Sequence, residues 1–206
     1  MILLSCLVLS WTSAGAASSS PASQTILVWG DSLSAGHGLF SVSAAWPALL
    51  QQRLQQGGFS HQVVNGSVSG ETSAGGRSRL PAALETHQPV IVIIELGAND
   101  GLRGLKPALM AENLAAMVTA ARTAGAQVLL VGMELPPNYG ANYTQAFEQA
   151  FVDVALQQKI PLVPFLLAGF ADRPALFQAD GLHPTAEAQP LILDTVWKGL
   201  EPLLKK

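Results

Sequence analysis

"ILVWGDSLSAGHG", residues 26–38, is an apolar run that breaks abruptly into Gly30-Asp31-Ser32. The apolar half reads as a buried strand. The break has two readings. Asp and Ser directly after a strand commonly cap the next helix. A small hydroxyl residue just past a strand tip is also where a nucleophile would stand, at the carboxyl edge of a sheet. No Gly-x-Ser-x-Gly elbow is present, and there is neither a dinucleotide Gly-x-Gly-x-x-Gly nor a phosphate-loop lysine. The decision rests on the rest of the chain.

Downstream, strand and helix patterns alternate. Residues 25–29 form the first strand. Residues 46–54 (WPALLQQRL) have helical spacing and run out near Gly57-Gly58. A second strand over 62–65 leads into the loop GSVSGETSAGG, and 80–86 is helical. Residues 90–96 (VIVIIEL) are a continuous β-branched run, as expected when both faces are covered. A helix over 108–123 closes at Gly125, a fourth strand spans 127–132, and a helix spans 143–158. Residues 161–165 are a short fifth strand whose two prolines suit an edge. A final helix over 185–204 is expected to bend at Pro190. Five strands separated by helices point to one α/β domain, a parallel sheet covered on both sides. In such sheets ligands bind beyond the carboxyl ends of the strands.

Composition narrows the function. Of 206 residues, 49% are hydrophobic and 12% charged, enough for a full core and unlike a disordered chain. The net charge of −3, with no basic stripe, excludes nucleic acid as an expected partner. The first thirty residues carry no charged side chain. Residues 1–16 read as a signal peptide with a small-x-small site at Ala14-Gly15-Ala16, although its first residues lack Lys and Arg. The expected address is periplasmic or secreted, with no stable membrane anchor, since so short an apolar run does not span a bilayer. Residues 17–24 read as a flexible Ser/Pro-rich segment, and 25–206 as the domain. Cys6 is the only cysteine and falls in the apolar part of the leader. The mature chain would then have neither disulfide nor thiol chemistry.

Four groups fall at strand ends, where a ligand would sit. Gly30-Asp31-Ser32 follows the first strand. Ser69-Gly70-Glu71 follows the second; it is either a plain turn or a glycine turning its N–H to a ligand. Gly97-Ala98-Asn99-Asp100 follows the third; Asn99 either makes an Asx turn or donates its amide into the cleft. Asp180-Gly181-Leu182-His183-Pro184 precedes the last helix. Asp and His three residues apart can face the same way, and an aspartate on one imidazole nitrogen leaves the other free to take a proton from a hydroxyl. A helix-capping histidine is the bland alternative.

Each bland reading survives alone, but Ser32, Gly70, Asn99, Asp180 and His183 also agree in order and location. With GDSL unaltered at 30–33, "SVSGETSAGG", "ELGANDGLRG" and "DGLHP", the chain resembles the GDSL, or SGNH, hydrolase family over essentially its whole length from residue 25. "GETSAGG", "LGANDGLRG" and "LPPNYG" are similar to segments of the bacterial arylesterase, acyl-CoA thioesterase I and lysophospholipase group.

The resemblance implies a three-layer α/β/α sandwich of flavodoxin-like form and a serine esterase acting on esters and thioesters. It implies a triad of Ser32, Asp180 and His183, and an oxyanion hole from the Ser32 and Gly70 N–H groups and the Asn99 amide. It also implies acyl-groove walls in 102–105, 135–139 and 166–177, with Leu102, Arg103, Leu135, Pro136 and Tyr139 as substrate contacts. Arg103 is expected to be solvated unless it meets an anionic headgroup. No cofactor, metal or protein partner is expected; His183 and Glu187 alone make no metal site. His37, His61 and His87 lie outside the motifs and read as structural or surface residues. Asp31 and Asp100 are expected to bond loop backbone. The competing expectations are a carbohydrate O-acetylesterase and a non-catalytic module of the same fold.

Overall fold

In the computed structural model, residues 24–204 are described. The expected leader, Cys6 and nearly all of the Ser/Pro-rich segment lie outside them. Five parallel strands, β1 Gln24–Gly30, β2 His61–Asn65, β3 Ile91–Glu95, β4 Gln127–Val131 and β5 Leu162–Val163, stand in the order β2-β1-β3-β4-β5. That order is the flavodoxin-like one. The chain reverses its direction of winding between β1 and β3, so a cleft opens at their carboxyl ends.

The apolar runs alternate between two cores. Leu27, Trp29, Val92, Ile94, Val128 and Leu130 point to one side of the sheet. They meet α3 Ser73–His87, α5 Pro107–Thr123 and α6 Ala141–Gln158. Ile26, Val28, Ile91, Ile93, Leu129 and Val131 point to the other side and meet α2 Trp46–Gln56 and α7 Gln189–Leu200. Covering both faces is what a continuous apolar strand requires, and it yields the expected three-layer sandwich.

Several boundaries differ from the sequence expectation. Helix α3 begins at Ser73, not near residue 80, so the "GETSAGG" loop is partly helical. Its first turn is anchored by Asp100, which accepts from Ser73 N (2.7 Å) and Ser73 Oγ (2.6 Å). The glycines there serve packing: a Cβ on Gly76 would stand 2.3 Å from Leu96 Cδ1, and Trp29 Nε1 donates to Gly76 O at 3.0 Å. A short helix α4, Ala98–Leu102, carries Asn99, where an Asx turn is one of the two readings of the sequence. Pro190 does not bend a long helix. It lies in the first turn of α7, where a missing N–H costs nothing, and 3₁₀ turns at Ala186–Ala188 and Glu201–Leu203 flank the helix. Strand β5 is an edge strand, as expected, but only two residues long between Pro161 and Pro164.

Candidate active site

Ser32 heads the one-turn helix α1, Ser32–Ala35. Asp31 caps that helix, accepting from Leu33 N at 3.0 Å. Both readings of the opening stretch therefore hold together: the aspartate caps the helix, and the cap fixes the backbone that presents Ser32 to the cleft. Gly30 leaves room beneath, since a Cβ there would stand 2.6 Å from Glu95 Oε2.

His183 Nε2 lies 3.0 Å from Ser32 Oγ, across 151 positions of chain, and His183 Nδ1 lies 2.7 Å from Asp180 Oδ2. Asp180 Oδ1 accepts from Leu182 N at 2.9 Å and His183 N at 3.0 Å. The bond from the His183 N–H, with those from its ring and from Leu182 N, holds the Asp180 carboxyl well below the usual carboxylate range. Asp180 thus stays anionic opposite the imidazole, which sets the nitrogen facing Ser32 as an acceptor.

The loop carrying this pair is braced by Gln178. Its N–H donates to His183 O at 2.8 Å, and its Nε2 donates to Pro184 O at 3.1 Å and to His37 O at 2.8 Å. Sequence patterns gave no sign of Gln178.

Gly70 and Asn99 border the same cleft as Ser32. Gly70 turns the chain after β2 with φ at +79°, a conformation that favours glycine. As the leading residue of α1, Ser32 has an N–H with no partner inside the helix. Asn99 Nδ2 donates to Asp31 Oδ2 at 3.0 Å, which fixes the amide plane. Asp31 is buried, and that burial pushes its carboxyl up to about 6 against the opposing bonds from Leu33 and Asn99. Behind it lies Glu95, raised well above the ordinary range by burial and then by Asp31. Glu95 Oε2 accepts from Ser34 Oγ at 2.5 Å, and that hydroxyl accepts from Trp46 Nε1 at 3.2 Å. Asp31 bonds backbone as expected, but it also holds Asn99. Asp100 fastens α3 through Ser73.

The cleft encloses about 560 Å³. Leu102, Leu135, Pro136, Leu167 and Phe177 line it as expected, joined by Met133 and Phe165. Leu166 and Phe170, within the expected walls, are wholly buried in the core instead. Two expected substrate contacts lie outside the lining. Tyr139 does not line the cleft; its hydroxyl donates to Leu102 O at 3.1 Å and supports that wall from behind. Arg103 is exposed, as expected, and lies outside the lining, where its Nη2 donates to Gly70 O at 2.9 Å. His37, expected to be structural or on the surface, borders the cleft and lies against His183. His61 is buried beside Phe59, and that burial lowers its imidazole below the ordinary value. Among the described residues, no three of His, Cys, Asp and Glu gather into a group that could hold a metal ion.

Known proteins resemble the chain in sequence and in fold. The model of the GDSL-like lipase/acylhydrolase family matches residues 28–190. The chain is 54% identical over 183 residues to esterase TesA of Pseudomonas aeruginosa, covering 89% of this chain and 90% of that protein. It is 44% identical over 183 residues to thioesterase 1/protease 1/lysophospholipase L1 of Escherichia coli K12, covering 89% of this chain and 86% of that one. The crystal structure of TesA superimposes with a TM-score of 0.86, covering 88% of this chain and all of that one. With the motifs, the fold and the relatives in agreement, the chain belongs to the GDSL-like lipase/acylhydrolase family.

Proposed function

We propose that the chain is a serine esterase that cleaves carboxylic esters and thioesters through an acyl-enzyme on Ser32. The observation that carries the proposal is the unbroken chain of hydrogen bonds from Ser32 Oγ through His183 to Asp180. A serine hydroxyl is a poor nucleophile at neutral pH and needs an adjacent base. His183 Nε2 takes the proton as Oγ attacks the carbonyl carbon, and the Asp180 carboxylate stabilises the imidazolium. The carbonyl oxygen, now an oxyanion, is met by the N–H groups of Ser32 and Gly70 and by the second N–H of the Asn99 amide. Each such donor contributes on the order of 3 kcal/mol. His183 returns the proton to the leaving oxygen or sulfur as that bond breaks. A water molecule, deprotonated by His183, then attacks the acyl-serine and releases the acid.

The relatives are named esterase, arylesterase, and thioesterase 1/protease 1/lysophospholipase L1. The Leu, Met, Phe and Pro side chains of the cleft suit an acyl chain. They offer few polar partners to a sugar, which counts against the carbohydrate O-acetylesterase reading. Among the described residues no helix is long and apolar enough to cross a membrane. An exported enzyme, released from a leader over residues 1–16, fits the expected signal peptide.

A fluorophosphonate probe tests the proposal. It should label the chain at Ser32 in equal stoichiometry, and Ser32→Ala and His183→Ala should lose ester hydrolysis while keeping their melting temperature. An unlabelled wild-type chain would favour the non-catalytic module.

A further inference from the structure

His37 stands just beyond α1, after Gly36 at φ +76°, and faces the catalytic end of the cleft. Its ring lies against that of His183, centroids 4.5 Å apart and planes inclined by 43°. Hydrogen bonds to the main chain of both residues hold the two rings together. His37 N donates to Ser32 O at 3.2 Å, and Gln178 donates to the carbonyls of His37 and His183, both at 2.8 Å.

The reaction dictates what passes this ring. On the esterase reading, on which this inference rests, His183 Nε2 must reach the leaving oxygen or sulfur within hydrogen-bond distance. The apolar walls at Met133, Leu135, Phe165 and Leu167 follow β4 and β5, to one side of Ser32 in the strand order. The acyl chain belongs there. The leaving group must therefore extend past His183, and the residues bordering the cleft at that point include His37 and Leu182. An exposed imidazole presents a flat π surface, which a planar ring covers better than a puckered or flexible one.

We propose that His37 is a specificity-determining residue on the leaving-group side, favouring esters whose leaving group carries a planar aromatic ring. A matched pair of substrates isolates the effect. Benzyl and cyclohexylmethyl butyrate share the acyl group and have leaving groups of similar size and reactivity, and they differ in planarity. Wild-type protein should show a higher kcat/KM for the benzyl ester. His37→Ala should lose about 3- to 10-fold of that preference, the range for a single aromatic pair, and His37→Phe should restore it. An equal fall for both esters in His37→Ala, or an unchanged ratio, overturns the proposal. Fluorophosphonate labelling separates the two levels of inference. Labelled His37→Ala with an unchanged ratio overturns the role of His37 alone, whereas unlabelled wild-type protein overturns the esterase reading as well.

Discussion

The side-chain amide of Asn99 is held by the carboxylate of Asp31, Nδ2 to Oδ2 at 3.0 Å, across 68 positions of chain. The same carboxylate caps the helix that begins with Ser32. One buried residue therefore orients both the backbone of the proposed nucleophile and the amide of the proposed oxyanion donor. Asp31→Asn keeps the size but puts an N–H₂ group where an acceptor stood, so the bond to Leu33 or the bond to Asn99 must go. A hydrogen bond to a charged group contributes about 1.5–3 kcal/mol. The expected outcome is a fall in kcat of about 10- to 100-fold with KM nearly unchanged, because the oxyanion exists only in the transition state. Steady-state kinetics on a short ester check this; a change confined to KM would remove Asp31 from that role.

The buried pair behind Ser32 sets a pH dependence of stability. Burial raises Asp31 from 3.8 to about 6, and burial with Asp31 raises Glu95 well above 4.5. Between the unfolded and folded values the native state holds more protons than the unfolded chain, so stability falls as pH rises through that window. Glu95→Gln removes the group that most resists ionisation and relieves Asp31 of a neighbouring charge. The stability of the variant relative to wild type should therefore increase from pH 5 to pH 8, as read from urea melts at both. A difference that does not change with pH would show that Glu95 carries no such strain.

How much of this was legible follows from particular residues. The strand in 90–96 is unmistakable because all its side chains but Glu95 are apolar, the pattern of a doubly covered strand. The site markers sit at strand ends, where the sheet rule places ligands, and Asp180 with His183 carries its meaning in a three-residue spacing. Other features depend on contacts distant in sequence. Gly75 and Gly76 read as part of a loop, yet both are helical, and Leu96 and Trp29 pack against Gly76. Gln178 and His37 meet across 141 positions, so no local pattern could join them. Arg103 looks like any surface arginine until the fold brings Gly70 beneath it.

That last contact carries its own prediction. Arg103 Nη2 holds the carbonyl of Gly70, a residue whose positive φ and missing Cβ leave its backbone loosely restrained. Arg103→Ala should free the Gly70 N–H to swing away from the oxyanion. One net hydrogen bond at about 0.5–1.5 kcal/mol corresponds to a fall in kcat of about 2- to 12-fold, with melting temperature unchanged because the side chain is exposed. Neutral short esters are the substrates to use. If they react normally and only anionic substrates suffer, Arg103 serves a headgroup and not Gly70.

The direction of the acyl chain is open to a steric test at Ala171. This small, exposed residue borders the cleft in the segment that follows β5. A larger side chain there can fill cleft space without disturbing the core. Excluding two methylenes from an apolar wall forfeits about 1.6 kcal/mol, roughly 15-fold in kcat/KM. Ala171→Trp should therefore lose roughly that much toward dodecanoyl esters and hydrolyse acetyl esters at the wild-type rate. The p-nitrophenyl ester series, acetyl to dodecanoyl, measures both ends in one assay. A uniform loss along the series would mean that the chain does not run over β4 and β5. In that case the long arm of the substrate would have to lie on the other side of Ser32, toward His37 and Leu182.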